Sequence, residues 1–126
     1  MNIVKLTLNF ASPEATIANF AETDDSLLAA LAAKTTELCD AEIAHDKLCG
    51  NAELSIRNAP AGAIKITEGY VTAAIATNDD VCNSKLKIAR LRTEVANIKA
   101  AIGGLERKHG LFKTWLSGQR PVGLNE

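Results

Sequence analysis

Residues Asp79–Leu116 read DDVCNSKLKIARLRTEVANIKAAIGGLERKHGLFKTWL. From Ile88 the apolar positions step alternately by three and four: Ile88, Leu91, Val95, Ile98, Ile102, Leu105, Phe112 and Leu116. His109 stands at the one place in that series where an apolar residue is expected. The alternation keeps these side chains on one helix face as a heptad seam, with Ile88, Val95 and Ile102 at a and Leu91, Ile98 and Leu105 at d. No proline interrupts it. A helix of about 35 residues spans roughly 50 Å, and a seam that long needs cover. The cover is a second long helix of the same chain, or another copy. The seam's length favours the second reading: homo-oligomerisation through Ile88, Leu91, Val95, Ile98, Ile102, Leu105, Phe112 and Leu116, with Trp115 beside them. The alternative is an antiparallel hairpin within the monomer. Lys85, Arg92, Lys99 and Lys113 fall at e, and Lys87 and Lys108 at g. Glu94 at g and Lys99 at e attract across a parallel two-stranded coil.

The remaining composition suits helices. Alanine is the commonest residue and only five residues are aromatic; alanine favours helix and allows close helix packing. No apolar run approaches the ~18 residues of a membrane span, so no membrane partner is expected. The N-terminus MNIVKLTLNF lacks the charge, long apolar run and small-residue site of a signal peptide, so a cytoplasmic location is expected. Cys39, Cys49 and Cys82 are odd in number and lack paired spacing, which predicts reduced thiols. His45 and Cys49 are four apart on a predicted helix, but without CxxC or a second ligand pair no metal is expected. The net charge of −1 conceals a division: residues 1–83 carry five Lys/Arg against twelve Asp/Glu, and residues 84–126 carry nine against three. The basic part can hold a polyanion through its phosphates. The acidic part can instead lie against the basic part, within or between subunits.

The strand-like alternation of Val4, Leu6, Leu8 and Phe10 predicts an extended or β arm. Ser12-Pro13-Glu14 starts a short helix to about Phe20 or Ala21, completing an N-terminal region over 1–22. Thr23-Asp24-Asp25 starts the next helix, over 24–50, with Leu27, Leu28, Leu31, Leu38, Ala41, His45 and Leu48 as its stripe and Gly50-Asn51 as its stop. A connector over 51–67 follows, read as a small hairpin around Asn58–Gly62 or as a loop. Thr67 caps a short helix over 68–77, and Asn78-Asp79-Asp80 breaks it or caps the long helix over 79–117. The fold is therefore expected to be mainly all-α: one helical domain over 1–118 with a short β element near the N-terminus or connector, then a flexible tail over 119–126. Gly103-Gly104 lie off the seam at b and c; mid-helix glycine costs about 1 kcal/mol each, which points to close approach of another backbone or to a kink.

Three stretches carry a resemblance. They are Ser55-Ile56-Arg57-Asn58-Ala59-Pro60, then Ala63-Ile64-Lys65-Ile66-Thr67-Glu68, then the long basic helix ending Glu106-Arg107-Lys108-His109-Gly110-Leu111-Phe112-Lys113. Together they resemble small tailed-phage recombination mediators of the UvsY type, over roughly half the chain. The resemblance implies an accessory factor of DNA recombination and repair in a bacterial host cell. Such a mediator binds single-stranded DNA, forms a ring-like homo-oligomer, and helps load a recombinase on DNA coated by single-stranded-DNA-binding protein. It implies no catalytic residues and no cofactor.

Arg107, Lys108, Lys113, Lys85, Lys87, Arg90, Arg92, Lys99 and Arg120 are the candidate phosphate contacts on this reading. Arg57 and Lys65 flank the connector and match the family motif, though Arg57 can equally pair with an acid of the first long helix. Arg107, Lys108 and Lys113 rank first because they surround Trp115, which can stack on a base or pack against protein. There is no GxxxxGK[ST], GxSxG or HExxH, so catalysis is not expected. The rival reading is a protein–protein adaptor or host-protein inhibitor that assembles through the coil without DNA.

Overall fold

The computed structural model describes residues 3–59 and 66–119. It contains α1 (Pro13–Arg57), α2 (Glu68–Ala76) and α3 (Asp79–Gly118). The fold is all-α, with no strand among the described residues. Residues 1–118, read above as one helical domain, fall into two compact units: Met1–Ala33 with Val95–Glu126, and Lys34–Glu94. The second half of the expected connector hairpin, with Lys65, lies outside the described residues, as do Arg120 and the rest of the tail.

The largest departure from the sequence reading is α1. It is one helix of 45 residues, where a break near Thr23 and a stop at Gly50-Asn51 were expected. Magnitudes explain the first difference. Thr23, Asp24 and Asp25 each cost at most about 0.7 kcal/mol against alanine inside a helix. Burying Phe20 and Leu27 on either side gains roughly 1.5–3 kcal/mol apiece. The buried face runs Thr16, Phe20, Thr23, Leu27 and Ala30, a three–four series hidden by two threonines. Gly50 fails to stop α1 because a glycine stop needs the left-handed backbone, and no described glycine has positive φ. The helix continues through half-buried Ala52 and Ile56 and ends at Arg57, just before Ala59-Pro60, where helical backbone is disfavoured.

In the first unit α1 and α3 pack antiparallel. Phe20, Leu27, Leu105 and Phe112 form one buried cluster, flanked by Leu6, Ile102, Trp115 and Leu116. The Phe20 ring lies 5.8 Å from Phe112 and stacks on His109 at 4.6 Å. His109 thus fills its place in the seam as a flat packed ring. The N-terminal arm is tied to α1 by side chains. Val4 N–H donates to Ser26 Oγ (3.0 Å), Thr7 N–H to Asn19 Oδ1 (2.6 Å) and Asn9 N–H to Thr16 Oγ1 (2.8 Å). Five arm residues therefore match ten helix residues, about 15 Å of axis, so the arm is extended at about 3 Å per residue. It is a strand-like segment with α1 side chains in place of a partner strand.

In the second unit Ala41, Ile88 and Leu91 are buried together with Leu38 packed on them, and Val71 of α2 and Val81 of α3 are buried as well. The helices again run antiparallel: Lys34 Nζ is 2.8 Å from Glu94 Oε2, and His45 Nδ1 is 3.0 Å from Ser84 Oγ. Thr67 caps α2 by accepting Tyr70 N–H (3.1 Å). Asn78 caps α3 by accepting Val81 N–H (3.1 Å), with Asp79 and Asp80 in the first turn.

These pairings use the seam within the chain, as the antiparallel hairpin alternative has it. Val95, Ile98, Leu105 and Phe112 are buried in the first unit, and Ile88 and Leu91 in the second; Ile102, Trp115 and Leu116 are half-buried. The sequence leaves an antiparallel hairpin within the chain open beside self-association, and α1 is the long helix that such a hairpin needs. Gly103 and Gly104 are not crowded by the described residues of the chain. A Cβ on Gly103 or Gly104 would meet only the Arg107 guanidinium, at 3.7 Å, and one on Gly50 would meet nothing within 4 Å. No atom of another described helix lies within 4 Å of the Cβ positions on Gly103 and Gly104.

Two substitution sets test this fold. Thr16 Oγ1, fully buried, also donates to Asn9 O (2.8 Å), whereas Thr23 Oγ1 is buried without a partner among the described residues. Thr16→Val should destabilise by about 1–3 kcal/mol in urea titrations and expose the Val4, Thr7 and Asn9 amides to hydrogen exchange, while Thr23→Val should stabilise by about 1 kcal/mol. Gly50→Ala, Gly103→Ala and Gly104→Ala should each raise stability by up to about 1 kcal/mol; a loss at Gly103 or Gly104 would mean that another backbone packs there.

Candidate nucleic-acid interface

Helix α3 positions almost all of the candidate cations, because a seam buried at a and d leaves the other positions to water. In the second unit Lys85, Lys87, Arg90 and Arg92 are exposed. Arg92 lies 3.8 Å from Glu42, a long contact between two exposed groups. In the first unit Lys99, Arg107, Lys108 and Lys113 are exposed. Among the described residues none of Lys85, Lys87, Arg90, Lys99, Arg107, Lys108 and Lys113 has an ion pair.

The acidic stretch of α1 therefore does little to neutralise α3. The shortest ion pair between these helices in the second unit has the opposite polarity: Lys34 of α1 holds Glu94 of α3 at 2.8 Å, and Glu37 at 3.3 Å. These bonds, Glu94 first, raise the Lys34 pKa above the ordinary lysine value. Glu94, expected to attract Lys99 across a coil, is thus engaged with α1.

Arg57 is not a free cation. Its Nε bonds Glu53 (2.9 Å), and its Nη2 bonds both carboxylate oxygens of Glu68 (3.0 and 2.9 Å). This is the acid-pairing alternative, made within α1 and extended to the start of α2. Arg57 is thus held by acids of α1 and α2. The guanidinium holds the Glu68 carboxyl below the ordinary glutamate value, mainly through these hydrogen bonds and then through its charge.

The arm brings together a group that sequence spacing alone did not. Leu8 and Phe10 of the arm and Lys108, Leu111, Phe112 and Trp115 of α3 line a cleft of about 250 Å³. Trp115 stacks on Phe112 (5.5 Å, 27°) and meets Phe10 edge-on (4.8 Å, 71°). Phe10 remains 54% exposed and Leu111 71% exposed. Lys108 is the only charged residue lining the cleft. Arg107 precedes it and lies one turn before Leu111. Lys113 is two residues from Trp115, about 160° round the helix, and the Arg107 guanidinium lies back beside Gly103 and Gly104, so of the expected trio around Trp115 Lys108 alone lines the cleft. Leu8, Phe10 and Leu111 were missed; Leu111, an apolar residue off the seam, was the available signal.

His45 uses both ring nitrogens, one towards Ser84 and the other 3.6 Å from Cys49 Sγ. Among the described residues no three His, Cys, Asp or Glu are grouped to hold a metal, and no helix is long and apolar enough to cross a membrane. Comparison with known protein families, with curated proteins and with solved structures finds no match.

The Arg57–Glu68 pair predicts a pH effect. A depressed carboxyl pKa stabilises the folded state above the unfolded glutamate pKa, and that contribution disappears as pH falls through the lower folded value. A carboxyl NMR titration should therefore place Glu68 below an ordinary glutamate, and Arg57→Gln should return it to the ordinary midpoint. An unshifted midpoint in the native protein would show that the pair is not populated in solution.

Proposed function

We propose that the protein is a non-catalytic, single-stranded-DNA-binding accessory factor that helps load a recombinase onto DNA in a bacterial cytoplasm. One observation supports it most: of the exposed α3 cations Lys85, Lys87, Arg90, Arg92, Lys99, Arg107, Lys108 and Lys113, all but Arg92 lack an ion pair among the described residues, although the same chain carries a strongly acidic stretch. Exposed cations without local acids keep their charge available to phosphates, and phosphate contacts bind with little regard to sequence. The mediator role, its recombinase and single-stranded-DNA-binding-protein partners, and homo-oligomerisation come from the motif resemblance. Because the α3 seam is used internally, any assembly of copies would use other faces. Leu28, Ile43, Leu54 and Leu86 are outward-facing and exposed, and they are also what favours the adaptor reading, in which the partner is a protein alone.

Polarisation titrations with fluorescent oligonucleotides separate the two. With about three phosphate contacts, affinity for a single strand should fall about 20-fold between 50 and 200 mM salt. Arg107→Glu combined with Lys108→Glu should abolish binding at low salt, and Arg57→Gln should leave it intact. A folded protein that binds no oligonucleotide at low salt would favour the adaptor.

A further inference from the structure

Three clefts among the described residues of the first unit differ in the charge of their linings. The one between Ile17, Phe20, Leu105 and His109 includes Asp24 and Glu106, which repel phosphate. The one beneath arm residues 3–6 has Lys5 and Lys108 but no aromatic side chain. Of these three, the cleft of Phe10, Leu111, Phe112 and Trp115 combines aromatic walls with a lysine and no acid. At about 250 Å³ it is smaller than the ~300–1,000 Å³ pockets that enclose drug-sized ligands, and it suits one ring system.

We propose that this cleft takes a single unpaired nucleobase against Phe10, Leu111 and Trp115, with Lys108 on a flanking phosphate. The inference rests on the single-strand reading above and adds to it the atoms that grip a base. An unpaired base offers a planar π face and an anion a few ångströms away, which matches an aromatic cleft with one cation at its edge. Stacking of this kind tolerates every base, so the cleft adds grip and selects single strands over duplex, whose bases are already stacked. The arm is part of the site. Asn9 is fastened to Thr16 on both its N–H and its C=O, and the next residue, Phe10, forms a wall.

Trp115 is the only tryptophan, so its emission reports this cleft alone. Titration with a thymidine oligonucleotide at low salt should quench Trp115 over the same concentrations that raise polarisation. An abasic oligonucleotide of equal length should bind more weakly and leave the emission unchanged. Phe10→Ala and Leu111→Ala, both at exposed positions, should each weaken binding of the thymidine strand about tenfold, with little change for the abasic strand. Polarisation binding without quenching would overturn the base cleft and leave the single-strand reading standing; no polarisation change would overturn both. Equal quenching by the abasic strand would also overturn the cleft. So would quenching by an acidic, phenylalanine-containing peptide in place of the oligonucleotide, which would reassign the cleft to protein docking.

Discussion

An apolar helix face must be covered, and in this chain the cover for α3 is α1. The face that does it is not conspicuously hydrophobic. It uses Thr16, Phe20, Thr23, Leu27 and Ala30 in one unit, and Leu38 and Ala41 in the other. Small and β-branched side chains on one helix let large ones on the other reach inward, which is how Phe112 and Leu105 come to be buried against α1. With the seam packed against α1, the flanks of α3 lie at the surface. Their charges are then free to meet solvent or a ligand.

The periodicity of α3 was legible because its buried positions are all strongly apolar apart from His109. That of α1 was legible from Leu27 to Leu48, exposed Leu28 apart, but not before Leu27, where Thr16 and Thr23 hide the three–four series. Local start and stop signals then dominated the reading, and they were weaker than the tertiary terms. Three residues of modest helix propensity cannot break a helix that buries Phe20 before them and Leu27 after them. Gly50 cannot end one whose backbone never turns left-handed there. Where no large apolar surface competed, local chemistry was a sound guide: Pro13 opens α1, Thr67 caps α2 and Asn78 caps α3.

The candidate interface divides along the same line. Exposed positions of a heptad are readable from spacing, so Lys85, Lys87, Arg90, Arg92, Lys99, Arg107, Lys108 and Lys113 are exposed on α3 as expected. Pairing is not readable in that way. Nothing in the spacing says that Glu94 turns to Lys34, or that Arg57 closes on Glu68 eleven residues away. Nor does it say that Phe10 crosses to Trp115. Each of these contacts requires knowing which helix faces which.

The arm couples fold to site. A lone strand has no ladder to satisfy its amides, and those of exposed Val4, Thr7 and Asn9 would otherwise turn to water. Ser26, Asn19 and Thr16 supply the missing acceptors at heights on α1 that match an extended chain. The register is thereby set by side chains, with Thr16, the last of the three, gripping Asn9 twice. That grip fixes where Phe10 emerges, and Phe10 is the wall of the aromatic cleft contributed from the far end of the sequence. A small hydroxyl buried at the start of α1 thus positions an aromatic ring against the end of α3, and any chemistry at that cleft inherits its geometry from the arm's hydrogen bonds.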